Sequence, residues 1–154
     1  MTKRIRFALL LLAVSASPAV SGKAVAEQAR HGKIADMRGE VMVRQDGGEW
    51  KPAQIGALLS EKDEVKTSSN AFAEIVLDEG EVGSLELKEN SLFRVNTLTT
   101  DKTGDKVTLL DLAIGKVLVH AEKLRGDSKF EVRTPTSTTG VRGTEFEVSV
   151  EEQS

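Results

Sequence analysis

The chain has 154 residues, with 21 Lys and Arg against 24 Asp and Glu, five Phe, one Trp, no Tyr and no Cys. The absence of cysteine excludes disulfides, thiolate nucleophiles and Cys-ligated zinc. The acidic balance excludes the usual phosphate-backbone binder, whose affinity comes from clustered Lys and Arg, so no nucleic-acid partner is expected.

Lys3, Arg4 and Arg6 precede an apolar run from Phe7 to Val14, and small residues follow up to Ala24-Val25-Ala26. A basic start, a short apolar core and an A-x-A site are the parts of a secretory signal peptide, predicted over residues 1–26. Cleavage after Ala26 is expected, with Ser21 as the alternative. Ser15, Ser17, Pro18 and Ser21 interrupt the run well short of the roughly 20 apolar residues of a membrane helix. With no lipobox Cys, the expected product is periplasmic or secreted, without stable membrane insertion after cleavage. Removing the four basic residues of this segment from the 21 leaves 17 against 24 acidic, a net charge of −7 over residues 27–154. That length suits one domain with one core.

From Gly32 onward the sequence is written in period two. Val41 and Val43 alternate with Met42 and Arg44; Ala71, Ala73, Ile75 and Leu77 alternate with Phe72, Glu74 and Val76. Leu85 and Leu87, Val117 and Val119, Phe130 and Val132, and Phe146, Val148 and Val150 continue the pattern. Such alternation places one face of each strand in a core and the other in water. Turn residues recur about every ten positions, among them Gly39, Asp46-Gly47-Gly48, Gly56, Asp78-Glu79-Gly80, Gly104, Gly115 and Gly126-Asp127. Val107 to Ile114 is the nearest approach to a helical stripe, and it is short and β-rich. Gln28 to Ile34 reads as a frayed turn or a leader into the first strand. Gly39-Glu-Val-Met-Val43 echoes Gly115-Lys-Val-Leu-Val119, as in a fold whose similar strands stack on one another. The prediction is one all-β domain of about ten short strands over residues 27–154.

Four stretches are candidates for function. Gly140-Val141-Arg142-Gly143-Thr144, two glycines flanking an Arg, suggests a tight turn with positive φ or a close backbone approach. There Arg142 either meets a partner's carboxylates or caps groups within the domain. Trp50, after the hairpin-tip sequence Asp46-Gly47-Gly48-Glu49, is either a packing residue or a stacking surface for a sugar or partner. Asp78-Glu79-Gly80-Glu81 has the carboxylates of a calcium loop without the EF-hand spacing, and a solvated acidic turn accounts for it better. His31 and His120 are the only histidines and form no metal-ligand spacing, and no nucleophile elbow, P-loop or dinucleotide fingerprint occurs. Glu145 and Glu147 share a strand face, as a solvated polar face would. The expectation is therefore no catalysis, no metal and no cofactor.

Taken together, these residues resemble the FecR domain, the periplasmic part of bacterial iron-transport signal transducers. The resemblance runs from Gly32-Lys-Ile-Ala-Asp-Met-Arg-Gly39 through Trp50, Ala53, Gly56, Asp63-Glu64-Val65-Lys66-Thr67 and Ala71 to Leu77. Its most specific stretch is Thr134-Pro135 followed by Gly140-Val141-Arg142-Gly143-Thr144-Glu-Phe146-Glu-Val148. Two positions depart from the family pattern. Lys62-Asp63 stands where Gly-Asp is usual, and Asp78-Glu79-Gly80-Glu81 replaces Asp-Gly-Ser, which implies an insertion or bulge. The resemblance implies a twisted, solenoid-like stack, with a two-sheet sandwich or jelly roll as the alternative. Full-length transducers add a cytoplasmic anti-sigma segment and a membrane helix, neither of which is read in this sequence, so direct sigma-factor control is not carried over. It implies a cell-envelope signalling or interaction module with an envelope protein partner, to which an exposed strand edge or the loop of Gly140, Arg142, Gly143 and Thr144 would be offered. Trp50, the other candidate binding residue, discriminates: a buried ring favours this module, and an exposed ring near a groove favours the alternative. The alternative is a secreted ligand- or polysaccharide-binding or envelope-scaffold module.

Overall fold

A computed structural model describes residues 29–152 of the chain, and the expected signal peptide lies outside the described residues. Twelve strands follow in order: β1 (Gly32–Arg38), β2 (Val41–Arg44), β3 (Lys51–Pro52), β4 (Leu58–Leu59), β5 (Glu64–Thr67) and β6 (Phe72–Leu77). A 3-10 turn, Asp78–Gly80, leads to β7 (Gly83–Leu87), β8 (Leu92–Thr100), β9 (Lys106–Ala121), β10 (Lys129–Arg133), β11 (Thr138–Val141) and β12 (Glu145–Val150). No helix among the described residues is long and apolar enough to cross a membrane.

The strands form one curled sheet whose path runs β3-β2-β5-β8-β9-β7-β6-β1-β4. Every pairing is antiparallel except β9 with β10. The long strand β9 divides the sheet. Its first part pairs with β8 and β10, forming a back half in the order β3-β2-β5-β8-β9-β10-β11. Its second part pairs with β7 and β12, forming a front half in the order β4-β1-β6-β7-β9-β12. The all-β expectation holds, with twelve strands rather than about ten.

Alternation along each strand decides the core. In β6 the buried residues Ala73, Ile75 and Leu77 alternate with half-exposed Phe72, Glu74 and Val76. In β10 the buried residues are Phe130 and Val132. Ile34, Ile75, Leu85 and Val119 of the front half join Val65, Phe93, Leu110 and Val132 of the back half in one buried cluster. Each such side chain contributes about 1.5–3 kcal/mol by leaving water, which lets packing replace the missing disulfides. Buried hydroxyls are satisfied: Thr67 Oγ1 donates to Lys88 O and accepts from Ser91 N–H.

The echo between Gly39 and Gly115 has a structural meaning. Gly39, with φ of +74°, stands where the chain leaves β1 of the front half for β2 of the back half. Gly115, with φ of +96°, is where β9 passes from the back half to the front half. A turn was expected at Gly115; instead the strand continues through it and bends. A Cβ there would run into Ser91, whose Oγ accepts the Lys116 N–H at 3.0 Å and holds the bend. Val107 to Ile114, the nearest sequence approach to a helix, is the extended first part of β9.

Candidate functional site

β11 pairs only with β10, and β12 pairs only with β9. Each is therefore an edge strand, one of the back half and one of the front half, with a row of backbone N–H and C=O groups left without a strand partner. Arg142, Gly143 and Thr144 are the whole connection between them. Val141 is buried just before the corner, Gly143 takes a φ of +58°, and Ala121 N–H donates to Thr144 O at 3.1 Å. These anchors fix the corner from both sides. Arg142 is exposed, and among the described residues it has neither an ion pair nor a side-chain hydrogen bond.

Two sequence readings of this motif change. Gly140 shows neither a positive φ nor a close backbone approach: it lies inside β11, opposite Glu131. Its lack of a side chain leaves open space above the strand. Arg142 caps no carbonyl and pairs with no carboxylate among the described residues, so the internal-cap reading is not met there. Gly140, Arg142, Gly143 and Thr144 are thus brought together around one corner.

The opposite end of the curled sheet is closed. β3 contains Pro52, which has no N–H to offer a new strand. The connection to β4 bonds to both halves: Ala53 N–H to Val41 O at 2.8 Å, and Gly56 N–H to Ile34 O at 2.7 Å. Trp50 belongs to that end, six strand steps from β11, and so is not part of the corner. It is half-buried, with the Arg44 Cζ and the Lys66 Nζ each 4.7 Å from its ring centroid. The ring packs under these two cations and keeps part of its surface accessible.

Strand register places a transverse row of charges on the outer face of the back half, which no local pattern revealed. Arg44, Glu64, Arg94, Asp111 and Arg133 are successive partners on β2, β5, β8, β9 and β10. Arg44 Nε donates to Glu64 at 2.6 Å, and Arg133 donates to both Asp111 oxygens at 2.8 and 3.0 Å. The Asp111 carboxylate raises the Arg133 pKa. Asn96 also donates to Asp111, at 2.8 Å. Arg94, between these two occupied carboxylates, is exposed and has no ion pair or side-chain hydrogen bond among the described residues.

The acidic turn after β6 is engaged by cations. Arg30 Nε donates to Asp78 Oδ2 at 2.7 Å, Lys33 reaches Glu79 at 3.3 Å, and Lys106 reaches Glu81 at 2.7 Å. The Lys106 hydrogen bond and charge lower the Glu81 pKa. Asp78 and Glu79 both have positive φ, +48° and +55°, so the irregularity inferred from the departure in sequence is a left-handed turn. Glu145 and Glu147 each face a base on β9: His120 at 3.4 Å and Lys116 at 3.3 Å.

The sequence model described as FecR protein matches residues 63–154, from the start of β5 onward and including the whole corner. No curated protein and no solved structure matches the chain.

Proposed function

The chain belongs to the FecR family, and from that premise we propose that it is an exported, non-catalytic module of the cell envelope that binds a protein partner in signalling. The family points to a signalling or regulatory role. The observation that carries the finer reading is the pair of open edges, β11 and β12, meeting at an Arg142 without a partner in the described domain. An extended partner segment gains main-chain hydrogen bonds by adding to such an edge. Arg142 then supplies a planar fork for a carboxylate of that partner, an interaction that sets orientation as well as strength.

The non-catalytic part of the proposal is supported by the surroundings of the two histidines. His31 and His120 each face one surface glutamate, at 3.6 and 3.4 Å, without a nucleophile in the pair. The polysaccharide alternative is weighed down by Trp50, since the two cations packed on its ring compete with a sugar for the same surface.

The test is site-specific photocrosslinking in intact bacterial cells. A crosslinker at Thr139 on β11 or Ser149 on β12 is expected to trap one discrete envelope protein, and Arg142→Glu to abolish the adduct. A crosslinker at exposed Lys102 serves as control. Adducts from Lys102 alone, or edge adducts indifferent to Arg142→Glu, would overturn the proposal.

A further inference from the structure

The outer face of the back half carries a second surface, separate from the corner. Neighbouring strands lie about 4.8 Å apart, so Arg44, Arg94 and Arg133, each two strands from the next, recur about every 9.6 Å. Glu64 and Asp111 occupy the intervals, Asp111 with both oxygens bound and Glu64 with its Oε2 taken by Arg44. Arg94 has all its donors available to a ligand. Arg44 and Arg133 each use two N–H groups of the five a guanidinium offers. Lys66 adds a further positive charge beside Arg44. This basic row stands out on a domain expected to carry a net charge of −7.

The spacing selects among anions. A polyanion with a charge every few ångströms, such as a nucleic acid strand with one phosphate per roughly 3.4 Å, would set charges against Glu64 and Asp111 as often as against the arginines. A polyproline II segment has three residues per turn and rises about 3.1 Å per residue, so every third side chain returns to one face after about 9.3 Å. Three carboxylates at that interval span about 19 Å, and four strand steps from Arg44 to Arg133 span about the same. Sheet twist turns successive side chains by about 20–25° per strand, an offset that the reach of arginine absorbs. Trp50 ends the row near β3, its ring held against Arg44 and Lys66, so a ligand that engages either cation changes the surroundings of the ring.

We propose that this row docks an acidic, proline-rich segment of a partner protein in polyproline II conformation, with a carboxylate at every third residue meeting Arg44, Arg94 and Arg133. The inference goes beyond the edge-docking reading and concerns a different surface. Arg142→Glu is accordingly expected to leave it unchanged.

Trp50, the only tryptophan of the chain, is a built-in reporter for the test. A peptide of repeated Glu-Pro-Pro triplets is titrated into the full chain while Trp50 fluorescence is followed. A peptide of identical composition with its glutamates in one block, and a polyuronate, are titrated in parallel. The triplet peptide is expected to shift the emission and to bind about tenfold more tightly than the block peptide, and Arg94→Gln to weaken it by about tenfold. Equal binding of the two peptides, or binding unaffected by Arg94→Gln, would overturn the spacing argument. Tighter binding of the polyuronate would make the occupant a glycan and overturn the peptide assignment. Absence of binding by every probe would overturn the site itself.

Discussion

Arg30 and Asp78, 48 residues apart, form a 2.7 Å ion pair whose side chains are only 6% and 8% exposed. Arg30 also donates to Thr99 O, Val107 O and Thr108 Oγ1, at 2.8, 2.9 and 2.7 Å. One guanidinium thereby ties the segment before β1 to the acidic turn, to β8 and to β9. Removing it strands a buried carboxylate and frees a buried hydroxyl. Arg30→Met is expected to lower the unfolding free energy by about 3 kcal/mol in urea denaturation, the typical result of breaking one side of a buried pair. Lys106, 3.7 Å from Asp78, limits the loss. A change below about 0.5 kcal/mol would show the latch to be a surface pair in effect.

Lys62 has a φ of +73°, a region that costs a residue with a Cβ about 1–2 kcal/mol. Its N–H still donates to Val95 O at 2.7 Å, which holds the turn before Asp63 in place. The backbone here has the shape that the family's usual glycine would take without strain. Lys62→Gly is expected to raise stability by about 0.5 kcal/mol, the strain relieved being partly offset by the greater freedom of glycine in the unfolded chain. Loss of stability in the same assay would contradict that account of the turn.

Gly115→Ala combines two penalties at the bend of β9. A positive φ strains alanine by about 1–2 kcal/mol, and the new methyl collides with Ser91, the residue before β8. A loss of about 3 kcal/mol in thermal or urea unfolding is expected. A loss under about 1 kcal/mol would mean the two halves of the sheet join less tightly at this point than the contacts indicate.

The loop between β8 and β9 carries a pH signal. The Asp101 carboxylate accepts from the Thr103 hydroxyl at 2.6 Å, and from the N–H groups of Asp105 and Thr103 at 3.0 and 2.8 Å. The Thr103 hydroxyl, then these amides, hold its pKa below the ordinary aspartate value. A carboxylate depressed in the folded state contributes order that is fully present above its unfolded pKa and is lost as pH falls through the folded one. The Thr103 amide resonance is therefore expected to titrate with a midpoint below that of an ordinary aspartate, and to lose the transition in Asp101→Asn. A midpoint at the ordinary aspartate value would contradict the bonding pattern.

The elements that alternate cleanly were legible from residues alone. Ala71 to Leu77, Leu85 to Leu87, Phe130 to Val132 and Phe146 to Val150 are strands in which period two matches burial. β9 was harder, because glycine marks a turn and a bend alike, and only the contact with Ser91 tells which one Gly115 makes. The corner motif was found as a unit, but Gly140 and Gly143 look equivalent in sequence and differ in φ. Arg30 left no signal at all, since a lone arginine in a terminal segment becomes a latch only through partners 48 to 78 residues away. The arginine row was equally hidden. Arg44, Arg94 and Arg133 lie on separate strands, and only the register sets them in line.

β11 and β12 present open edges on either side of Arg142, and amide hydrogen exchange of the isolated chain reads those edges directly. An edge strand bonds only every second N–H to its neighbour and leaves the rest to water. Alternating slow and fast exchange is expected along Thr138–Val141 and Glu145–Val150, against protection at nearly every amide of β6 and β7. Uniform protection across β11 and β12 would mean that both edges are already covered, and would contradict the claim that the corner awaits a partner.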